Sequence, residues 1–159
     1  MGYKAAIIAL SDNASKGVHE DVSGGLIREM ISQEGFEVPV QMLLGDNPEE
    51  LKNALIDICD NKKADLVLTS GGTGLSRQDT APEATQAVLE RQVPGFAEAI
   101  RVESMKHTPR GLFYRGVSGI RGDTLIVNLP GSPRAIKETL GVILPVLEHG
   151  VRVVTSQNG

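Results

Sequence analysis

Three short polar segments carry most of the residues able to hold a phosphorylated ligand: Ser11-Asp12-Asn13, Thr69-Ser70-Gly71-Gly72-Thr73-Gly74 and Leu129-Pro130-Gly131-Ser132-Pro133. Gly71, Gly72 and Gly74 let the backbone reach positive φ and approach a ligand closely, while Ser70 and Thr73 carry hydroxyls suited to phosphate oxygens. The segment reads as an anion cradle, and a tight strand-to-helix turn is equally compatible with it. It is neither a Walker loop nor a dinucleotide fingerprint, because GxxxxGK[ST] and GxGxxG are both absent.

Two acids stand beside these segments. Asp46 precedes a helix start and Asp79 lies five residues beyond Gly74. Carboxylates next to a phosphate cradle are the usual means of holding Mg²⁺, which offsets phosphate charge. Each is also compatible with a plain helix-terminal charge, worth ~0.3–1 kcal/mol. Asp12 suits a turn after the first strand, and Asp21 reads as a solvated loop residue. Arg77 and Arg115 are candidate phosphate partners or solvated loop cations. His19, His107 and His149 are isolated in sequence and give no metal-ligand spacing. Cys59 continues an apolar helix face and reads as a packing residue.

The elements that must position these residues follow from hydrophobic periodicity. Ala5–Leu10 (AAIIAL) is a short continuous apolar run that predicts a strand buried on both faces, Leu66-Val67-Leu68 predicts a short apolar strand and Thr124–Leu129 (TLIVNL) a buried strand. Phe36 to Leu44 predicts a further strand, with Pro39 placing it at an edge or at a bulge. Helices are predicted where Leu26, Ile27, Met30 and Ile31 share a face before Gly35, from Asn47-Pro48-Glu49-Glu50 onward, after Thr80-Ala81-Pro82-Glu83 with capping-box spacing, and after Pro94-Gly95. The last helix presents Ile136, Leu140, Ile143, Leu144 and Leu147. Between Thr108 and Gly122 only Leu112-Phe113-Tyr114 suggests a strand. The alternation predicts one α/β domain over 1–159, a doubly wound, mostly parallel sheet with helices on both faces, and ligands beyond the carboxyl ends of its strands.

The 159 residues suffice for one self-supporting core, since folding at this size buries about 68–70% of the extended-chain surface. Sixteen basic against twenty acidic residues give a net charge of −4 and no field for polyanions, and two Tyr, three Phe and no Trp leave little surface for base stacking. Nucleic acid is therefore an unexpected partner. A single cysteine, no apolar stretch near ~20 residues and no apolar leader after Met1-Gly2-Tyr3-Lys4 point to a soluble, unprocessed, cytoplasmic protein.

Ordered along nearly the whole chain, Ser11-Asp12, Asp21-Ser23-Gly24, Gly45-Asp46, TSGGTG with Arg77-Gln78-Asp79-Thr80-Ala81-Pro82-Glu83-Ala84-Thr85, Pro94-Gly95-Phe96, and Gly119-Ile120-Arg121-Gly122 leading to NLPGSP resemble the molybdopterin adenylyltransferase family, which includes the MogA and MoaB proteins and the gephyrin G domain. The resemblance implies a three-layer α/β/α domain, commonly trimeric. Its enzymes transfer AMP from Mg·ATP to the terminal phosphate of molybdopterin, release pyrophosphate and prepare the pterin for a molybdenum-insertion protein. It also implies that Asp46 and Asp79 are the essential acids and hold Mg²⁺. The glycine-rich loop would be Gly71, Gly72, Thr73 and Gly74, a polar pterin-site position Ser104, and the segment beside the nucleotide Pro130, Gly131 and Ser132. The chain departs from the pattern in two places. Tyr114, before Arg115, replaces a small pterin-contacting hydroxyl and would either donate a hydrogen bond there or obstruct the pocket; Asn13 replaces a basic residue. A non-catalytic molybdopterin-binding or carrier module is the alternative these departures raise, and an unrelated phosphate-binding assembly protein requires the motif series to be coincidence.

Overall fold

In a computed structural model, which describes residues 2–11 and 21–156, strands and helices alternate. In chain order they are β1 (Lys4–Leu10), α1 (Val22–Ser32), β2 (Glu37–Leu44), α2 (Pro48–Asp60), β3 (Leu66–Ser70), α3 (Ala81–Val88), β4 (Arg91–Gln92), α4 (Pro94–His107), β5 (Ser118–Arg121), β6 (Thr124–Leu129) and α5 (Pro133–Thr155). The strands form one sheet in the order β2-β1-β3-β6-β5-β4. Pairs among the first four are parallel, and β5 runs antiparallel to both its neighbours. Pro39 explains the position of β2. The strand lies at the sheet edge, and its register with β1 slips by one residue between Lys4↔Glu37 and Ala6↔Val40, so both roles proposed for a proline in a strand are realised.

Alternate strand residues feed two cores, which makes three layers. Ala5, Ile7, Leu68 and Val127 pack with Ile27 and Ile31 of α1, Ile100 of α4 and Ile136, Leu140, Ile143 and Leu147 of α5. Ala6, Ile8, Val67 and Ile126 point the other way, onto Leu51, Leu55 and Ile58 of α2 and Ala84 and Val88 of α3. Because side chains alternate across a strand, the unbroken burial of β3 and β6 and of the middle of β1 is what a sheet covered on both faces requires.

Three expectations need correction. The first helix starts at Val22, not after Gly25, because Asp21 is its N-cap: Asp21 Oδ1 accepts the Gly24 amide at 2.8 Å, and two glycines in the first turn disguise the start. Asp21 is thus no mere solvated loop residue. Thr80 makes no capping hydrogen bond to α3 with its side chain, and Glu83 turns instead to Arg115. Leu112-Phe113-Tyr114 is not a strand, since Pro109–Phe113 forms a 3-10 turn capped by Thr108 Oγ1, which accepts the Arg110 amide at 3.2 Å.

Candidate functional site

Between β1 and β3 the connections diverge: β1 leads to α1 on one face, and β3 leads to α3 on the other. Such a switch point opens a crevice at the carboxyl edge of the sheet. Here the segments Thr69–Gly74 and Leu129–Pro133 meet at the backbone, with Ser11 lining the same cavity. The Gly71 amide donates to the Leu129 carbonyl at 3.2 Å, Ser70 Oγ donates to the Pro130 carbonyl at 2.9 Å, and Ser23 Oγ donates to the Gly131 carbonyl at 2.7 Å. Gly71 has φ +96°, and a Cβ there would lie 2.6 Å from the Leu10 carbonyl oxygen. A Cβ at Gly131 would lie 3.1 Å from Gly71 Cα, so only glycines let these chains touch. A cavity of about 320 Å³ opens beside them, lined among others by Ser11, Asp21, Ser23, Ser70, Gly131 and Pro133. Asp12 and Asn13 lie outside the described residues.

A second cavity, of about 420 Å³, is lined by Ser104, Thr108, Arg110, Ser132, Arg134 and neighbours. Ser132 caps α5, its Oγ accepting the Ala135 amide at 3.2 Å. Gly131 and Pro133 line the first cavity while Ser132, between them, lines the second. The segment is therefore a shared wall. Both volumes fall near the range of small-molecule sites, ~300–1,000 Å³. At the far side of the second cavity His107 presents both ring nitrogens to carboxylates, Nε2 to Glu103 at 2.9 Å and Nδ1 to Glu138 at 3.0 Å.

Behind the glycine loop sits a buried polar network centred on Asn128. Its amide nitrogen donates to Thr69 Oγ1 at 2.8 Å and Thr85 Oγ1 at 3.0 Å, and its amide oxygen accepts the Val117 amide at 3.0 Å. Tyr114 completes it by donating its hydroxyl to the Asn128 carbonyl at 2.5 Å. Tyr114 is only 6% exposed and, with Arg101 across its ring at 5.4 Å, faces the core. Burial pushes its phenol far above the ordinary tyrosine range. Ser70 donates its hydroxyl proton to the Pro130 carbonyl, so this side chain joins two loops. Arg115 is likewise engaged with protein groups, at the Gly74 and Asp79 carbonyls and at Glu83.

Against known proteins, residues 6–149 match the family described as a probable molybdopterin binding domain. The chain belongs to this molybdopterin-binding family. It is 38% identical over 151 residues to a molybdopterin adenylyltransferase of Helicobacter pylori, covering 93% of this chain and 85% of that one. The Escherichia coli K12 molybdopterin adenylyltransferase is 38% identical over 155 residues, covering 93% of this chain and 79% of that one. A crystal structure of the molybdopterin biosynthesis enzyme MoaB from Thermus thermophilus superposes with a TM-score of 0.90 at 42% identity, covering 96% of each chain.

Within this molybdopterin-binding fold, Asp46 and Asp79 follow the carboxyl ends of β2 and β3, the two strands that flank β1. Asp46 is half-buried at the corner of a turn in which the Asn47 amide donates to the Gly45 carbonyl at 2.9 Å. Asp79 Oδ2 accepts the Ser76 amide at 3.0 Å and the Ser76 hydroxyl at 2.8 Å, which ties the carboxylate into the glycine-rich loop. Thr73 is buried in that loop and Gly72 and Gly74 are half-buried. Among the described residues no three His, Cys, Asp or Glu gather as a metal cage. The donor set still fits Mg²⁺, which one or two carboxylates typically hold together with substrate phosphates. Sequence reading passed over Arg110 and Arg134 at the second cavity, and gave Asp21 and Ser23 at the first as part of the family's motif series without a role at the site. The signal for the last two was present, an N-cap acid three residues before Gly24.

Proposed function

We propose that this protein transfers AMP from ATP to the terminal phosphate of molybdopterin and releases pyrophosphate. The observation that supports the reading is the Gly131-Ser132-Pro133 segment, whose adjacent residues line two cavities, so that two substrates held there would lie on either side of one short stretch of chain. The first cavity, beside Ser11, Ser70 and the loop Gly71-Gly72-Thr73-Gly74, suits the nucleotide, with Asp12 on the adjoining segment. The second, with Ser104, Ser132 and the guanidinium groups of Arg110 and Arg134, suits the pterin and its phosphate. A terminal phosphate oxygen attacks the α-phosphorus of ATP; a new P–O bond forms, the bond to the β-phosphate oxygen breaks, and its electron pair leaves with pyrophosphate.

No protein nucleophile is needed, because the substrate itself attacks and the chain positions and neutralises. Cys59 is buried, and its thiol is pushed up to about 11. Asp46 and Asp79 are the residues that would hold Mg²⁺, which supplies charge neutralisation on phosphate oxygens when bound. The non-catalytic alternative drew on Tyr114 and Asn13; the phenol of Tyr114 lies in the core and lends it no support, and Asn13 lies outside the described residues. The reading carries a homotrimer in the cytoplasm that passes its product to a molybdenum-insertion protein. A lone buried cysteine and an exposed apolar strip on α4 and α5 agree with it, and no described helix is long and apolar enough to cross a membrane.

Pyrophosphate release from ATP, followed with and without molybdopterin and Mg²⁺, tests the proposal; release should require both. Asp46→Asn and Asp79→Asn should each lower it by roughly 10²–10³-fold, the usual scale for losing a charge-stabilising group, with unchanged circular dichroism. Full activity in both variants rejects the chemistry assigned to these acids.

A further inference from the structure

We infer that Arg115, together with Glu83, is a positioning clamp for the glycine-rich loop and not a phosphate ligand. The tip's own restraints are local, Ser76 and Asp79 bonding to each other, while Gly71 and Gly72 hold positive φ and Leu75 to Gln78 are exposed. Arg115 reaches it at both ends. Its amide donates to the Thr73 carbonyl at 2.9 Å, its Nε to the Gly74 carbonyl at 2.7 Å and its Nη2 to the Asp79 carbonyl at 2.7 Å. Nη1 and Nη2 also donate to Glu83 in the first turn of α3, at 2.6 and 3.3 Å. Of five guanidinium N–H groups, one on Nε, one on Nη1 and two on Nη2 are thus committed, which leaves a single donor for any ligand.

Gly74 and Asp79 are the two ends of the exposed tip, so one planar group fixes its span. Fixing the Asp79 backbone also fixes its carboxylate, which Ser76 already holds. As a half-exposed ion pair, Arg115–Glu83 would add little stability, ~0–1 kcal/mol. What a rigid fork supplies here is geometry, and lysine cannot reproduce it.

The inference rests on the adenylyltransferase reading only for its kinetic arm. Arg77 sits at the exposed tip, so trypsin cleavage after Arg77 in the native protein, without any ligand, reports loop opening. Arg115→Lys should speed that cleavage about tenfold and Glu83→Gln by a smaller factor, with cleavage elsewhere unchanged. In the transfer assay both variants should lower kcat, Arg115→Lys by about 10²-fold, with the KM for ATP held within roughly threefold. A phosphate-ligand role predicts the opposite pattern: Arg115→Lys raises KM, and Glu83→Gln frees the guanidinium and tightens ATP. That pattern, or unchanged cleavage after Arg77 in both variants, overturns the clamp. If wild-type protein transfers no AMP, the proposed function fails and the cleavage arm still decides; if Arg115→Lys does not fold, Glu83→Gln decides.

Discussion

At the scale of single residues, chemistry near the site is set by what each side chain already holds. Asn128 uses every polar atom of its amide on Thr69, Thr85 and Val117, and a buried amide left partly unpaired would cost about 1–3 kcal/mol, so the floor of the glycine loop is held in one arrangement. Cys59 gives a pH dependence at this scale. Its thiol rises from the usual 9.0 to about 11, with desolvation by burial the main cause. A pKa raised in the folded state means that the thiol's contribution is full below about 9 and is lost as pH climbs toward about 11, at about 1.4 kcal/mol per unit. At pH 8 an aromatic disulfide reagent should therefore react only as the protein unfolds, and Cys59→Ala should flatten the fall in stability between pH 9 and 11. Rapid reaction in native protein, or an unchanged alkaline slope, would contradict this. Cys59 was legible in sequence because a lone cysteine on an apolar helix face has few roles. Tyr114 and Arg115 were not, because sequence spacing places a residue near a strand end without saying which carbonyl it meets across the fold.

At the scale of elements, caps separate two helices whose sequences look alike. Asn47 Oδ1 accepts the Glu49 and Glu50 amides at 2.9 and 3.2 Å, and Glu49 and Glu50 face the positive end of α2. Thr80, with equally good capping spacing, makes no such bond with its side chain. Asn47→Ala should then cost ~1 kcal/mol and lower the melting temperature by about 2–4 °C, whereas Thr80→Ala should move it by less than about 1 °C. Equal shifts in thermal unfolding would count against the capping geometry. The difference has a tertiary cause. Arg115 draws Glu83 out of the reciprocal box, and that contact joins residues 32 positions apart, beyond any local pattern. Strands were legible for the converse reason, since burial on both faces writes itself into an unbroken apolar run, as in β1. The 3-10 turn at Pro109–Phe113 left no such trace, because Leu112 and Phe113 are exposed in spite of their apolar side chains.

At the scale of the whole molecule, the sheet order puts the ligand edge between β1 and β3 and leaves the outer sides of α4 and α5 with apolar residues in water. Val102, Met105, Val142 and Val146 are 53%, 39%, 42% and 54% exposed, on helices that pack against each other. A recess of about 240 Å³ lies among Phe96, Ala99, Val142 and Val146. Contiguous exposed apolar surface on a chain otherwise rich in charge marks a contact site more often than chance. A closed trimer needs a head-to-tail interface, in which one patch meets a different surface of the next copy, and one built on this face would cover all three apolar strips at once. Sedimentation equilibrium of the wild-type protein should give three times the mass of the 159-residue chain. Val142→Glu combined with Val146→Glu places charge on the strip without touching the buried side of α5, where Leu140, Ile143 and Leu147 pack. That variant should sediment as a folded monomer with unchanged helix content. A monomeric wild type, or a double variant that still assembles, would remove this face as the interface. If transfer activity survives in the monomer, each protomer holds a complete site.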